Sequence, residues 1–264
     1  MWRNLARLVR YRGLIHSLVV RELKARYRGS VLGFFWSFIN PLALLTIYSI
    51  VFTIFLPNRS DLITPYAVFM FCGLLPWTWF SASLVESSAS LIAGGNLIKK
   101  VLFPAEILPI VSVLANMVHF FLGLPILAAF LIYFEHTPDV WDLPWLPVVV
   151  LIQLIFTAGL ALILSALTAH FRDIRDILSH VLTFWFFATP IIYPWFQPEL
   201  QPYRTWFKLN PFTHLAVSYQ ELLFFNGPFG HLQSLLLLGA LSVLLFLAAY
   251  WVFDRLRDSY SEVV

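Results

Sequence analysis

The sequence predicts an all-α integral membrane protein, and three features carry that prediction. The 264 residues are 60% hydrophobic and only 12% charged, with a mean hydropathy of +0.80, whereas soluble domains are about a quarter charged. Several uncharged runs exceed the ~20 residues that cross a bilayer as a helix. These runs show no alternation with a period of two, which argues against a membrane β-barrel.

The first 30 residues are predicted to form a cytoplasmic segment at the membrane interface. Trp2 to Arg12 places arginines at helical spacing with leucines between them, which is typical of an amphipathic helix in the headgroup plane. The densest basic cluster, RELKARYR at 21–28, ends where the first long uncharged run begins, because Lys and Arg near membrane ends stay on the cytoplasmic side. Leu14 to Val20 lacks a following small-residue cleavage site, so we expect no cleaved signal peptide.

Residues 31–253 are predicted to form six membrane spans, followed by a cytoplasmic tail at 254–264. The predicted spans are Val31–Leu56, Thr64–Ile92, Ile107–Phe134, Leu146–Ala169, Ile177–Tyr193 and Leu232–Phe253. They must be helices, because lipid leaves no partner for unpaired backbone groups. We find no internal repeat, and we expect residues 1–264 to form a single domain.

The basic residues give the predicted orientation. With the N-terminus inside, fourteen of the 17 Lys and Arg residues fall on cytoplasmic pieces, and only Arg59, Arg204 and Lys208 fall outside. The predicted outer loop Glu135–Asp142 contains no basic residue. The positive-inside rule therefore places both termini in the cytoplasm.

A short helical segment is predicted between the fifth and sixth spans, within Pro194–Pro228. Asn210 and Pro211 form a good helix start, and Asn226–Pro228 is a good stop. The helix between them has about 15 residues and contains Glu221, so it is too short and too polar for a span. We expect a re-entrant or interfacial segment at the outer face.

Few residues in the spans can carry chemistry. Glu86 in the second span is expensive to bury in lipid, so it faces either a wet pathway or a partner helix. His119 in the third span either forms a packing hydrogen bond with Asn116 or has a functional role. Cys72 is the only cysteine, so no disulfide forms within the chain. Within 170–180, ion pairs between the aspartates and the arginines are a simpler interpretation than a metal site.

No phosphate-binding loop of the G-x-x-x-x-G-K-[ST] type occurs in the chain. The nearest stretch, GGNLIKK at 94–100, lacks the second glycine and the hydroxyl residue, so the chain cannot bind ATP in this way. We predict no catalytic, cofactor-binding or metal-binding residue. We also predict no nucleic-acid partner, because membrane orientation accounts for the basic residues.

Aromatic residues concentrate near the predicted outer interface. One interpretation is an aromatic belt that anchors the protein in the headgroup layer. The other is a transport pathway in which sugar rings stack on flat faces. The candidate pathway residues are Trp77, Trp79, Phe80, Trp185, Tyr193 and Trp195, together with Glu86.

The chain resembles the ABC-2 type export permeases, and most closely those that export O-antigen, capsular polysaccharide or teichoic acid. The resemblance covers nearly the whole chain and rests on five stretches in order. These are RELKARYRGSVLGFFWSFINPL at 21–42, NLIKKVLFPAEILP at 96–109, FRD at 171–173, TPIIYP at 189–194 and LNPF at 209–212.

The resemblance implies a homodimer in the bacterial inner membrane, paired with two copies of a separate ATPase that binds ATP and Mg. It implies that 96–104 forms a coupling helix resting on the ATPase and that the N-terminal segment packs there too. The coupling residues implied are Asn96, Leu97, Ile98, Lys99, Lys100, Phe103, Pro104, Arg21, Glu22 and Arg26. Lys99 and Lys100 have the alternative role of holding lipid headgroups. The helix that begins at Asn210 and Pro211 is expected to be the outer gate.

The expected function is therefore export of a polysaccharide, as a lipid-linked O-antigen or a similar glycan. A drug or lipid exporter of the same type is an alternative. An ion-coupled secondary transporter would show inverted repeats and more buried charges, and a membrane glycosyltransferase would need clustered acids on a wet face. Neither pattern is visible in the sequence.

Overall fold

The computed structural model describes residues 10–55, 63–100, 103–136, 138–139, 141–225, 229–257 and 260, and within them all regular structure is helical. The helices are α1 Arg12–Arg26, α2 Trp36–Ile50, α3 Tyr66–Ala93, α4 Gly95–Lys100, α5 Ile107–Tyr133, α6 Leu146–His170, α7 Ile174–Phe187, α8 Arg204–Leu209, α9 Pro211–Leu223 and α10 Leu232–Arg255. This confirms the predicted all-α class. The predicted helix at Trp2–Arg12 lies almost entirely outside the described residues.

Five helical stretches are long and apolar enough to cross a membrane. They are Gly33–Ile50, Tyr66–Ala93, Ile107–Tyr133, Leu143–His170 and Leu232–Arg255, with mean hydropathies from 1.4 to 2.6. They match the first four predicted spans and the sixth within a few residues, so the chain is a multi-pass membrane protein.

The predicted fifth span, Ile177–Tyr193, differs from what the structure contains. Its helix, α7, has 14 residues, which makes it about 21 Å long, against roughly 30 Å of hydrocarbon. The helix ends before Thr189 and Pro190, because the residue before a proline is pushed away from helical backbone angles. The six-span arrangement therefore stays a prediction.

Helix α3 is the central helix of the bundle. Of its most apolar 18-residue window, 78% is buried inside the chain, against 28% for α10 and 11% for the stretch that contains α2. Helices α5, α6, α7 and α9 all pack against α3. Helix α2 therefore presents most of its apolar surface to lipid or to another protein chain.

Two local features fix how the central helices pack. Gly159 in α6 lies against the backbone of α10, where a Cβ atom would be 3.2 Å from the Cα of Phe246, and such small residues let membrane helices approach closely. Pro76 lies inside α3, and its carbonyl oxygen accepts a hydrogen bond of 2.8 Å from the buried amide of Gln153 in α6. This hydrogen bond ties the proline turn of α3 to the neighbouring helix.

A glycine turn joins α1 to the first span. Gly29 and Gly33 have φ angles of +82° and +49°, which are favourable only for glycine. The Ser30 hydroxyl oxygen accepts hydrogen bonds from the Gly33 backbone N–H and from the Trp36 indole. The end of the basic cluster at Arg28 therefore lies in the turn between α1 and the first span.

Helix α1 lies against the start of α5. Leu18 of α1 is buried in a small cluster with Ile107 and Val111 of α5. This contact fixes α1 against the N-terminal end of α5.

The chain between α7 and α10 contains the two short helices α8 and α9. The predicted short helix that starts at Asn210 and Pro211 is confirmed as α9, which has 13 residues and is buried along most of its length. The predicted stop at Asn226–Pro228 lies outside the described residues.

Candidate transport groove

A groove runs along α3, between α2 on one side and α7 on the other. A cavity of about 440 Å³ separates α2 from α3 and α5, and one of about 650 Å³ separates α3 from α7. Leu74, Thr78 and Ala82 of α3 line both cavities. Helix α3 is therefore the shared floor of the two cavities, which together we call the groove.

Small hydroxyl side chains line the α7 side of this groove. Thr78 and Ser81 of α3 face Ser179 and Thr183 of α7. Each hydroxyl donates to a carbonyl of its own helix, with distances of 2.7, 3.4, 2.7 and 2.9 Å respectively. Since the protons are used within the helices, the hydroxyl oxygens offer acceptor lone pairs to the groove.

Glu86 lies eight residues, or about 12 Å, beyond Thr78 towards the C-terminal end of α3, and it lines the groove. Its carboxylate accepts two hydrogen bonds of 2.7 Å from Arg26 Nη2, at the end of α1. Asn116 of α5 donates to Glu86 Oε2 at 2.6 Å and accepts from Arg26 Nη1 at 3.1 Å. The predicted pathway acid and the predicted coupling residue Arg26 therefore form one cluster.

The other ionisable candidate in the spans, His119, is next to this cluster. Its Nδ1 lies 3.4 Å from the hydroxyl of Tyr27, and its buried Nε2 has no hydrogen-bond partner among the described residues. The predicted hydrogen bond partner Asn116 is instead occupied by Arg26 and Glu86.

Three predicted pathway aromatics pack inside the chain. Trp79 and Phe80 are 2% and 0% exposed, and the Trp79 indole donates to the carbonyl of Val113 at 3.1 Å. In this conformation these two rings have no surface for a glycan to contact. Trp77 is also buried, with its ring edge-on to Phe212 at 4.9 Å, but it lines the groove beside Thr78.

The remaining predicted aromatics lie in the last turns of α7 and in the chain that follows it. Trp185 and Tyr193 line a separate, largely aromatic cavity of about 710 Å³ between α7 and α8. Trp195 packs edge-on to His231, and the guanidinium of Arg204 lies 5.2 Å from its ring centre. These three rings are half-buried, so they retain accessible surface.

Asn210 joins the end of α7 to the start of α9. Its side-chain oxygen accepts from the Phe212 backbone N–H at 3.0 Å and from the Trp185 indole at 2.7 Å. Its side-chain nitrogen donates to Ala188 O at 3.1 Å and to Thr189 Oγ1 at 2.9 Å. All four hydrogen-bonding positions of the amide are filled, and Pro211 occupies the first turn of α9.

A histidine pair holds α9 to the start of α10. His214 Nε2 donates to Lys208 O at 2.9 Å, and His214 Nδ1 lies 3.2 Å from His231 Nε2. Glu221 accepts from the backbone N–H of His231 and lies 3.5 Å from its Nδ1. Burial lowers the pKa of His214, the Lys208 carbonyl partly opposes this effect, and the nearby His231 lowers that pKa further.

The predicted coupling segment is helical where it is described. Helix α4 covers Gly95–Lys100, with Asn96 exposed and Leu97 half-buried, while the side chains of 98–100 and residues 101–102 lie outside the described part. Phe103 is half-buried against two apolar clusters of this chain, and Pro104 is buried. On α1, Arg21 is exposed and Glu22 half-buried.

Comparison with known proteins identifies the family of this chain. The profile described as ABC-2 type transporter matches residues 13–224. The chain belongs to the ABC-2 type transporter family. It is 41% identical to the O-antigen export system permease protein RfbA of Myxococcus xanthus over the full length of both chains. It is 31% and 32% identical to two proteins of the same name from Klebsiella pneumoniae, over 92% of each chain.

Two features of this ABC-2 family chain were missed by sequence reasoning. The groove hydroxyls have a readable signal, since Thr78 and Ser81 are three residues apart and Ser179 and Thr183 are four apart, so each pair shares one helix face. The link from Arg26 to Glu86 has none, because the two residues are 60 positions apart. The pathway residues predicted from the sequence were aromatic apart from Glu86, and the small polar residues were not among them.

Proposed function

We propose that the chain is the membrane-spanning permease subunit of an ATP-driven exporter, which moves a polysaccharide of the O-antigen type across the bacterial cytoplasmic membrane. The observation that carries the proposal is the 41% identity, over both full lengths, to a protein named as an O-antigen export permease. Membership of the ABC-2 transporter family supports a transport role rather than an enzymatic one.

The groove along α3 is proposed as half of the conduit. Helix α2, at one wall, has little buried surface, and both cavities along α3 are open. A second copy of the chain facing the first would enclose the groove. We therefore propose a homodimer with the conduit between the two α3 helices.

The lining chemistry suits a polymer that must slide. Sugar hydroxyls donate hydrogen bonds, and the oxygens of Thr78, Ser81, Ser179 and Thr183 are available as acceptors. Neutral hydrogen bonds of this kind have a small net value, about 0.5–1.5 kcal/mol each. Repeated weak contacts allow movement without tight binding at one position. Trp77 supplies an apolar wall against which the C–H face of a sugar can rest.

ATP and Mg are proposed to bind to two copies of a separate ATPase, which contact the inner end of the permease. Helix α4 and the segment to Pro104 supply one contact, and the outer face of α1, with Arg21 and Glu22, supplies the other. The exposed position of Asn96 and Arg21 supports this assignment. The outer helices α8 and α9 would then control the exit, with Asn210 and Pro211 at their junction.

Reconstitution tests the proposal. In proteoliposomes, the chain with its cognate ATPase should move lipid-linked O-antigen across the bilayer on addition of ATP, and the chain alone should hydrolyse none. An ATPase variant with its phosphate-loop lysine changed to alanine is the control and should abolish transport. ATP hydrolysis by the isolated chain, or ATP-dependent movement of phospholipid but not of glycan, would contradict the proposal.

A further inference from the structure

The C-terminal end of α1 contacts all three helices that border the α2 side of the groove. Two adjacent residues make these contacts, Arg26 as the last residue of α1 and Tyr27 directly after it. Arg26 reaches α3 and α5, and Tyr27 reaches α2 and α5.

The Arg26 half of this contact is a closed ring of hydrogen bonds. One guanidinium nitrogen binds both carboxylate oxygens of Glu86, the other binds Asn116, and Asn116 binds Glu86 in turn. Asn116 is also fixed to its own helix through Ser112 O at 3.0 Å. Charge-assisted hydrogen bonds are stronger and more directional than neutral ones, so the ring fixes Arg26 relative to both α3 and α5.

The Tyr27 half reaches the opposite wall of the groove. Its hydroxyl lies 2.7 Å from the hydroxyl of Ser37, which is 3% exposed in the first turn of α2, and 3.4 Å from His119 Nδ1 in α5. The Tyr27 ring also packs edge-on to His119 at 5.9 Å. Tyr27 therefore joins α2 to α5 about one helical turn along α5 from the point at which Arg26 joins α3 to α5.

We propose that Arg26, Tyr27, Ser37, Glu86, Asn116 and His119 form a joint that transmits movement of α1 to the groove walls α2 and α3. We call this set the α1 joint. The inference rests on the proposed function, in which an ATPase moves α1, and it deepens that function by assigning how the movement reaches the conduit. Arg26 and Glu86 are then positioning residues, since neither needs to touch the glycan for this role.

The rest of the α1 contact explains why a polar joint is needed. Elsewhere, α1 is held by apolar contacts around Leu18, Ile107 and Val111. Apolar packing is non-directional, so α1 can slide on it without moving α2 or α3. A rotation or shift of α1 either drags Glu86 and Ser37 along or breaks hydrogen bonds of 2.7 Å. The cavity of about 440 Å³ beside the joint gives the two walls room to move.

The test compares variants that cut the joint with one that removes a charge beside it. Arg26→Gln and Glu86→Gln cut the ionic half, and Tyr27→Phe removes only the bridging hydroxyl. Lys24→Gln is the matched control, because Lys24 is exposed two residues earlier on the same helix. The exchanged pair Arg26→Glu with Glu86→Arg keeps the attraction with its direction reversed.

The measured quantity is glycan exported per ATP hydrolysed, in proteoliposomes with equal amounts of folded complex. We expect both glutamine variants to lower this ratio about tenfold while ATP hydrolysis continues, and Tyr27→Phe to lower it less. The exchanged pair should recover part of the ratio, and Lys24→Gln should leave it unchanged. An unchanged ratio in both glutamine variants would overturn the joint. So would lower thermal stability with an unchanged ratio, since that would mean a purely structural role.

A second measurement keeps the test valid if the cargo is not a glycan. Spin labels on the exposed positions Ile47 of α2 and Val181 of α7 report the width of the groove. In the complex with the ATPase, ATP should change this distance in the unmodified chain and not in Arg26→Gln or Glu86→Gln. The same change in all three would overturn the joint. Failure of glycan export in the unmodified complex would instead count against the proposed function.

Discussion

Replacing Asn210 should loosen the outer end of the bundle more than its single side chain suggests. Its amide makes four hydrogen bonds, two as acceptor and two as donor. Loss of the helix cap costs about 1 kcal/mol, and side-chain hydrogen bonds in membrane proteins average about 0.6 kcal/mol each. We therefore expect Asn210→Ala to lower the free energy of unfolding by about 3 kcal/mol.

Asn210→Asp separates the two halves of this effect. The carboxylate still accepts from Phe212 and Trp185, but it places an oxygen against the carbonyl of Ala188, where the amide nitrogen now donates. We expect a loss of about 1–2 kcal/mol, from the two donated bonds and the new repulsion. Gln201→Ala is the control, because Gln201 is exposed on the same outer segment.

Unfolding by SDS in mixed micelles, followed through tryptophan fluorescence, measures both values. The order expected is Gln201→Ala near the unmodified chain, then Asn210→Asp, then Asn210→Ala. If Asn210→Ala changes the free energy by less than about 0.5 kcal/mol, the size of an ordinary surface substitution, the junction is not held as the structure indicates. Equal losses for the alanine and aspartate variants would refute the role of the two accepted bonds, which only the aspartate variant retains.

Three further predictions concern other parts of the fold. Gly159→Leu should separate α6 from α10 and lower stability by more than Gly159→Ala, since even a Cβ meets the Phe246 backbone at 3.2 Å; equal melting temperatures would contradict that packing. Because burial lowers the pKa of His214, the unfolded chain binds more protons below about pH 6.5. Stability should be full above that pH and fall as the pH drops, and His214→Gln should weaken this dependence in melting curves; an unaltered pH profile would exclude it. Phe103→Ala should cost about 1–2 kcal/mol through lost apolar contacts and lower export per ATP, and normal export by folded protein would remove Phe103 from the coupling site.

The sequence predicted the helices whose signal is local. Long apolar runs fix α3, α5, α6 and α10 to within a few residues, and Asn210 with Pro211 fixes the start of α9. These signals work because hydrogen bonding within a helix and the bilayer thickness both act along the chain. The length predicted for the fifth span was wrong. Its apolar run continues past Phe187, but the helix α7 ends there because Thr189 and Pro190 follow.

The candidate site was predicted only in part, because it depends on contacts between distant residues. Glu86 was expected to face either a pathway or a partner helix. The structure bonds it to Arg26 and places it beside the groove, and its role in a pathway stays a prediction. Trp79 and Phe80 were assigned to the pathway by ring type alone. A large ring is equally suited to a core, and the face of α3 that each ring takes is decided by its neighbours.

Photo-crosslinking of the moving glycan tests the groove most directly. A photoreactive amino acid at Ser81, in the groove, is compared with one at Leu244, on the outward face of α10, where the native side chain is 63% exposed. During ATP-driven export, illumination should attach glycan at position 81 and leave position 244 free of it. Glycan attached equally at both positions, or absent from position 81 while export continues, would contradict a conduit along α3.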